Sequence, residues 1–343
     1  MSFLAFLHTA ASRENLTATD AQRAMELILA GHVTTAQIAG FLVALRMKGE
    51  TPDEIVGFAR AMRERSTKIV LQLNGEVLLD TCGTGGDGQN TFNISTIVAF
   101  VVAGAGVKVA KHGNRSLSSL CGSADIFEGL GINIAMTPDQ TAASIREVGI
   151  GFLYAPAMHP AMKHAQAARL ELKMRTAFNL LGPLTNPAGA TVQLVGAPSA
   201  AAAELMAEAL GSLGLQHGFV VHGAGGLDEI STTGESLVLE IRRGAIAHHI
   251  LTPADFGVKT ATIADLRGGD RAANLEIARA ILNGELGPKR DVVLVNASAA
   301  LVAAGKATSF LHGVELAAES IDSGRAQQKI DQLARFSQMA FGA

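Results

Sequence analysis

The sequence has little cysteine and no excess of charge of either sign. Its 343 residues include two cysteines, Cys82 and Cys121, too few for a disulfide framework or for a zinc site with the usual four ligands. The formal net charge is −3, so the composition predicts neither a basic surface for nucleic acid or anionic membranes nor an acidic bias. Tryptophan is absent, and the absence of one rare residue excludes nothing.

Long hydrophobic runs are also lacking. The most apolar run, residues 97–107, falls short of the roughly 18 residues that indicate a membrane span. The first residues, MSFLAFLHTAASREN, have no basic leader and are typical of an amphipathic helix, not of a signal peptide. We therefore expect a soluble, cytoplasmic protein with neither a membrane nor a nucleic acid as partner.

The first part of the sequence has the patterns of a helical region. Three capping boxes, each a threonine followed three residues later by glutamine or glutamate, predict helix starts at Thr19–Gln22, Thr34–Gln37 and Thr51–Glu54. Apolar residues then recur at helical spacing. We predict a small all-helical domain over residues 1–70, joined by helices from about 160–190, where a Gly182-Pro183 break marks a crossing between domains.

From about residue 70, short apolar runs alternate with helical patterns, and this alternation predicts an α/β domain over 71–343. Its mostly parallel central sheet would be flanked by helices. The predicted strands are 77–80, 107–110, 151–155, 192–195 and 218–222. In such a sheet, ligands bind in loops at the carboxyl ends of strands.

The first of these loops is DTCGTGGDGQNTFNIST, residues 80–96. Glycines that lead into a helix can bring backbone N–H groups close to an anion, although GTGG alone fits a plain turn equally well. Its spacing is neither a Walker A loop nor a dinucleotide fingerprint. Asp87, Asn93, Ser95 and Thr96 exceed what one helix cap needs, and they favour a phosphorylated ligand.

A second loop, KHGNRSLSSLCGSAD at 111–125, follows the next predicted strand. Basic and hydroxyl side chains in this position suit a polyanionic small ligand, while the alternative is a solvated surface loop. A third loop, HGAGGLDEIS at 222–231, carries the adjacent acids Asp228 and Glu229. Adjacent acids are usually surface charge, but beside two phosphate loops they become candidate Mg²⁺ ligands.

Four motifs, in this order and spacing, closely resemble the anthranilate phosphoribosyltransferase family: DxxGTGGDG with TFNIST, KHGNR with SS and GSAD, HPAMK with RTxFNxLGPLTNP, and GLDEIS. The resemblance spans the whole chain. It implies transfer of the 5-phosphoribosyl group from 5-phosphoribosyl-1-pyrophosphate (PRPP) to the amine of anthranilate in tryptophan biosynthesis, with release of pyrophosphate. It also implies Mg²⁺ as cofactor and a homodimer formed through the helical domain.

The resemblance further implies site residues, matched position by position. The PRPP contacts would be Gly83, Gly86, Asp87, Thr91, Asn93, Ile94, Ser95, Thr96, Lys111, His112, Gly113, Asn114, Arg115, Ser116, Leu117, Ser118, Ser119 and Ser123. The metal site would be Ser95, Asp228 and Glu229. The anthranilate side would be Gly83, His112, Asn114, His159, Arg169 and Gly182. The catalytic groups would be Asp87, Lys111, Asp228 and Glu229.

Two other readings remain at this point. A pyrimidine-nucleoside phosphorylase looks similar in fold, although GLDE and GPLTNP fit it poorly. A non-catalytic paralogue that binds nucleic acid would be favoured by a basic surface or by loss of the acids. Cys82, where the resembled family tends to have an apolar residue, receives no role from the sequence.

Overall fold

The computed structural model describes residues 2–85, 88–116 and 120–339. Within these residues the α-helices run in the following order: α1 Phe3–Ala11, α2 Ala18–Leu29, α3 Thr35–Lys48, α4 Pro52–Arg65, α5 Ile94–Gly104, α6 Ser123–Gly129, α7 Pro138–Glu147, α8 Ala155–Met158, α9 Lys163–Leu172, α10 Phe178–Leu184, α11 Ala200–Ser212, α12 Arg271–Leu282, α13 Pro288–Ala303, α14 Phe310–Asp322 and α15 Arg325–Met339. None of them is both long enough and apolar enough to cross a membrane.

The strands of the described residues form one sheet: β1 Leu78–Gly83, β2 Lys108–Gly113, β3 Ile150–Tyr154, β4 Val192–Gly196, β5 His217–Gly223, β6 Ser236–Arg242 and β7 Ala245–Leu251. Their order across the sheet is β3-β2-β1-β4-β5-β6-β7. The first five in chain order run parallel, and β6 and β7 are antiparallel to their neighbours. The predicted fold class is therefore confirmed, with β1 to β5 near their predicted positions.

The β6–β7 hairpin is the part of the sheet that was not predicted from the sequence. Its two turn residues, Arg243 and Gly244, have φ values of 50° and 85°, the left-handed conformation that a two-residue type I′ turn requires. Arg-Gly is a weaker hairpin signal than Asn-Gly or Asp-Gly. The hairpin forms one edge of the sheet, next to β5.

The N-terminal helices begin where side chains satisfy their free N–H groups. The boxes at Thr34–Gln37 and Thr51–Glu54 are both formed, as predicted. The prediction at Thr19 was wrong, because Thr17 caps α2 through the N–H of Asp20 and Thr19 lies inside the helix. A threonine two residues earlier, followed by aspartate, offered an equally good start.

The helices after β3 pack onto the N-terminal helices. α9 contacts α2 and α3, α10 contacts α4, and all of them share one hydrophobic core. The predicted break at Gly182-Pro183 was wrong in position, since both residues lie in the last turn of α10, which ends at Leu184. Because proline has no N–H, Pro183 cannot bond the carbonyl of Asn179, and the helix ends one residue after it.

The sheet separates two cores because successive side chains of a strand point to opposite faces. Leu79, Val109 and Phe152 point toward a core that includes α5, α13 and α15. On the other face, Val195, Val220 and Leu239 join the core of the helical region together with α11. Helix α5, which is apolar all round, is almost fully buried on the first face.

Candidate active site

Three loops meet at the carboxyl edge of the parallel strands. They follow β1, β2 and β5, and in the sheet order β4 alone separates β1 from β5. The N–H of Gly85, in the glycine loop, donates to Oδ2 of Asp228 across 2.8 Å. The glycine loop and the paired acids, 143 residues apart in sequence, are thus in direct contact.

Two glycines make room for Asp228. Gly83 and Gly196 are paired residues at the ends of β1 and β4. A Cβ on Gly83 would lie 2.6 Å from Oδ2 of Asp228, and one on Gly196 would lie 1.6 Å from the main-chain oxygen of Asp228. Both distances are shorter than any normal contact, so the loop approaches the sheet this closely only because these positions lack side chains.

The donors at this edge fit magnesium. Asp228 and the adjacent Glu229 offer hard carboxylate oxygens beside a loop suited to phosphates, the combination in which Mg²⁺ is usually held. Another group of potential ligands in the described part of the chain, Asp80, Cys82 and His112, has its ligand atoms within 4.8 Å of one another. Its mixture of oxygen, sulfur and nitrogen does not suit Mg²⁺.

Lys111 lies on the same face of the sheet as α5. Its side chain is buried, and Nζ contacts the main-chain oxygen of Thr81 and lies 3.4 Å from Oγ of Ser95. Ser95 is in the first turn of α5, where unpaired N–H groups and the helix dipole favour an anion. The side chain of Asn93 does not cap this helix, since it bonds the carbonyl of Cys121 and the amide of Asn274.

The first turn of α5 carries one further buried hydroxyl. Oγ1 of Thr96 has no hydrogen-bond partner among the described residues. Thr91 instead forms an isolated antiparallel bridge with Arg267, and Ile94 begins the helix and is buried. Gly86 and Asp87, between these residues and Gly85, lie outside the described residues.

The second loop is fastened to the start of α6. Oγ of Ser123 accepts from the N–H of Asn114 at 3.2 Å, and a Cβ on Gly113 would lie 2.2 Å from the same Oγ. The N-cap of α6 is Gly122, and Ser123 is the first helical residue. Ser116 is the last residue described before a gap, and Leu117, Ser118 and Ser119 lie outside the described residues.

Arg115, in this loop, is engaged by acids of α6. Its guanidinium lies 2.7 Å from both Asp125 and Glu128, and these hydrogen bonds raise its pKa. About half of the guanidinium side chain is exposed, so these ion pairs are screened by solvent.

Two histidines occupy the opposite face of the sheet. Nδ1 of His112 lies 3.2 Å from the carbonyl oxygen of Gly182, and the rings of His112 and His159 have centroids 5.2 Å apart. Because a carbonyl can only accept, Nδ1 of His112 carries the proton. Burial lowers the pKa of His112 to about 3 and that of His159 to about 4, so both rings are neutral near pH 7.

Asp80 and Cys82 lie next to His112. Burial raises the pKa of Asp80 to about 6 against the opposing charge of Lys111 and three hydrogen bonds. The thiol of Cys82 has its pKa raised to about 12 by burial and by the charge of Asp80, which makes it a neutral, unreactive wall of this pocket.

Arg169 lies on α9, and its guanidinium is 5.4 Å from the ring centroid of Phe178, the first residue of α10. Burial lowers its pKa from the ordinary value. The guanidinium is thus held against the aromatic face of Phe178. Phe178 belongs to α10, the helix that also brings Gly182 to His112.

Two residues at the site were missed by the sequence reading. Arg175, in the connection between α9 and α10, donates from Nη1 to the carbonyl of Gly85 at 2.8 Å. Asn186, in GPLTNP, bonds the carboxylate of Asp80 at 2.8 Å. The available signal was the buried acid: a charged residue inside the apolar strand LLD requires a partner.

Comparison with known proteins identifies the family to which this chain belongs. Residues 75–327 match the Glycosyl transferase family, a/b domain, and residues 4–66 match its helical bundle domain. The chain is 61% identical over 337 residues to the anthranilate phosphoribosyltransferase of Solibacter usitatus, covering 98% of this chain and 99% of that one. The chain belongs to the anthranilate phosphoribosyltransferase family.

Solved structures of this family have the same fold. The crystal structure of anthranilate phosphoribosyltransferase from Thermus thermophilus superposes with a TM-score of 0.92 at 43% identity, covering 97% of this chain and 99% of that chain. The enzyme from Saccharomyces cerevisiae in complex with PRPP and Mg superposes with a TM-score of 0.91 at 28% identity, covering 98% of each. The resemblance stated from the four motifs is confirmed, and the chain is an anthranilate phosphoribosyltransferase-type pentosyltransferase.

Proposed function

We propose that this chain transfers the 5-phosphoribosyl group from PRPP to the amine of anthranilate and releases pyrophosphate, a step of tryptophan biosynthesis. The observation that carries the proposal is the 2.8 Å contact between the Gly85 N–H and Asp228, which joins the glycine loop to the paired acids. A plain turn or a pair of surface acids would have no reason to meet. Membership in the family supports the same reaction.

On the α5 face, the proposed ligand is the pyrophosphate end of PRPP. The glycine loop, the N-terminus of α5 and the buried Lys111 would surround it with N–H groups and one cation. The PRPP contacts inferred from the motifs, including the undescribed Gly86, Asp87 and Leu117 to Ser119, remain assigned to this ligand. As negative charge develops on the leaving pyrophosphate, these donors would stabilise it without reorganising.

Asp228 and Glu229 would hold Mg²⁺, with Ser95 as the third proposed ligand. When bound there, Mg²⁺ would supply additional stabilisation of the negative charge on the leaving group. The hydrogen bond from the N–H of Gly85 fixes Oδ2 of Asp228. Lys111, 3.4 Å from Oγ of Ser95, would orient that hydroxyl.

On the helical face, the proposed ligand is anthranilate. Neutral His112 and His159 would contact it beside Gly182, with Gly83 and Asn114 at the strand ends, and Arg169 would pair with its carboxylate. Nitrogen of the aromatic amine attacks the anomeric carbon as the bond to pyrophosphate breaks, and one N–H proton is then released. The amine is already neutral near pH 7, so the reaction does not need a strong general base. His112 and His159, with pKa values of about 3 and 4, are too weakly basic to act as one.

The pleat of β2 explains how one strand serves both substrates. Lys111 and His112 are consecutive, so their side chains point to opposite faces of the sheet, toward Ser95 and toward Gly182. The anomeric carbon would lie beyond the strand ends, between the two faces. Positioning of the amine against this carbon would carry much of the rate enhancement.

We further propose a domain boundary near residue 70, a homodimer formed through the helical domain and a cytoplasmic location. Packing of α9 and α10 on the N-terminal helices supports a helical domain that includes residues from about 160–190. Association through that domain is supported by its resemblance to the family alone. The low cysteine content is what supports a reducing compartment.

The decisive experiment follows the loss of anthranilate fluorescence on addition of PRPP, with and without Mg²⁺. We expect a time-dependent loss that requires PRPP and is strongly reduced by chelation of Mg²⁺. Thymidine or uridine phosphorolysis is measured on the same preparation. Nucleoside phosphorolysis without loss of anthranilate would refute the proposal in favour of a phosphorylase.

A further inference from the structure

We propose that Asp80 and Asn186 are positioning residues that fix the orientation and tautomer of His112, an inference that rests on the proposed function. Both side chains are buried, with exposures of 0% and 7%. Neither belongs to the residues that the motifs assign to a ligand. Each is joined by hydrogen bonds to a segment that carries one of those residues.

Asp80 joins β1 to β2 at the point where His112 begins to face the ligand. The paired register of the two strands includes Leu79 with Val109. Beyond it, Oδ1 of Asp80 accepts from the main-chain N–H of His112 at 3.1 Å. The carboxylate therefore accepts a hydrogen bond that a main-chain carbonyl would accept in a continuing β-ladder. It thereby fixes the backbone from which the imidazole of His112 projects.

Asn186 joins the same carboxylate to the chain that returns from the helical region. Its Nδ2 donates to Oδ2 of Asp80 at 2.8 Å and to the carbonyl of Ala110 at 2.9 Å. Its Oδ1 accepts from the N–H of Ala188 at 2.9 Å. The two N–H groups of its amide thus attach the segment after α10 to the ends of β1 and β2.

These two attachments act on His112 from both sides. Gly182, four residues before Asn186, offers the carbonyl that accepts from Nδ1 of His112 at 3.2 Å. With the proton held on Nδ1, Nε2 is an acceptor, and it has no hydrogen-bond partner among the described residues although it is buried. Asp80 and Asn186 thereby present an acceptor nitrogen toward the pocket proposed for anthranilate, whose amine is a donor.

A carboxylate is needed at position 80 because two donors converge on it. Asparagine has the same shape but one oxygen, so its NH₂ group must face either the His112 N–H or the Asn186 amide. One donor is then left without an acceptor in a buried site, which costs more than the loss of a surface hydrogen bond. The neighbouring Lys111 keeps the ionised carboxylate favourable despite burial.

The test compares Asp80→Asn, Asn186→Ala and the exchange Asp80→Asn with Asn186→Asp. In the exchange, the amide of residue 80 can donate to the carboxylate of residue 186 and its oxygen can still accept from His112, while the carbonyl of Ala110 loses the donor that Asn186 supplies. Ser320→Ala is the matched control, since Ser320 is equally buried but bonds Val101 on the other side of the sheet. Steady-state KM values for anthranilate and PRPP are measured for each protein.

We expect KM for anthranilate to rise on the order of tenfold in both single variants, with KM for PRPP within about twofold of the parent. The exchange variant should recover part of this loss, and Ser320→Ala should change neither KM. Imidazole ¹⁵N NMR of the whole enzyme, with His112 assigned by His112→Gln, should show a pure Nδ1–H tautomer in the parent and a mixture in Asp80→Asn. Asn186→Ala carries the test if Asp80→Asn does not fold.

The inference is overturned if a folded single variant keeps both the anthranilate KM and the His112 tautomer of the parent. It is equally overturned if both KM values rise together, as a general loss of structure would cause. A parent protein without transferase activity would instead contradict the proposed function, because the NMR measurement does not depend on turnover.

Discussion

Replacing Gly196 by alanine tests whether the position of Asp228 controls catalysis. The new Cβ would lie 1.6 Å from the main-chain oxygen of Asp228 and 2.5 Å from its carbonyl carbon. An ordinary contact needs about 3.5 Å, so the loop must retreat by about 2 Å. Gly196 lies in a fully buried strand, which leaves the acid loop as the part that moves.

The retreat has a calculable consequence for activity. The movement breaks the 2.8 Å hydrogen bond from the Gly85 N–H to Asp228. It also displaces the Asp228 carboxylate, a proposed Mg²⁺ ligand, by about 2 Å. A misplacement of about 1 Å can cost roughly 100-fold in rate, so we expect kcat to fall by at least about 100-fold. The Mg²⁺ concentration required for half-maximal activity should rise as well.

The assay is anthranilate fluorescence at saturating PRPP over a Mg²⁺ titration, with Tm measured for each variant. Gly83→Ala should have a smaller effect, because its Cβ would meet the end of the Asp228 side chain, Oδ2, at 2.6 Å and not the main chain. Gly211→Ala is the control: it lies in α11 with its nearest neighbour at 3.6 Å, and we expect full activity and about 0.5–1 kcal/mol of added stability. A folded Gly196→Ala enzyme with parental kcat and Mg²⁺ titration would refute this reasoning.

Three further predictions each use one or two substitutions. Arg169→Ala should raise KM for anthranilate about tenfold or more and leave KM for PRPP nearly unchanged; equal increases in steady-state titrations would exclude Arg169 as the carboxylate partner. Asp228→Asn with Glu229→Gln should lower kcat by about 100-fold or more and flatten the Mg²⁺ response, whereas the exposed Asp331→Asn should change neither. His159 has a folded pKa of about 4 against an ordinary 6.5, so its contribution to stability is present above pH 6.5 and is lost as pH falls through 4. In denaturant titrations from pH 4 to 6.5, His159→Asn should therefore show a slope of unfolding free energy against pH that is smaller by about 1.4 kcal/mol per unit; an unchanged slope would contradict the buried neutral ring.

Local rules predicted much of the fold from sequence. The capping boxes at Thr34 and Thr51 involve residues three apart, and the alternation of apolar runs and helices is visible along the chain. The sheet edge at which the three loops meet followed from the parallel topology. Thr19 was misread because Thr17 competes for the same helix start, and sequence alone does not rank the two.

Contacts between distant segments were the part that the sequence did not predict. Arg175 meets the carbonyl of Gly85, and Asn186 meets Asp80, only after the chain has passed through the helical region and returned. No spacing encodes these pairs. The sequence pattern predicts which helix or strand carries a charged residue. The partner of a buried charge, in contrast, depends on how the helices and strands pack.

The helical region is assembled from two stretches that the ribosome produces at different times. Its core contains Phe41 and Phe58 from the first stretch and Ala165, Phe178 and Leu181 from the second. At roughly 5–20 residues per second, on the order of ten seconds separates the two during synthesis. Throughout that interval the nascent chain carries an uncovered apolar face, so translation pauses between α4 and α10 should increase its aggregation and its dependence on chaperones.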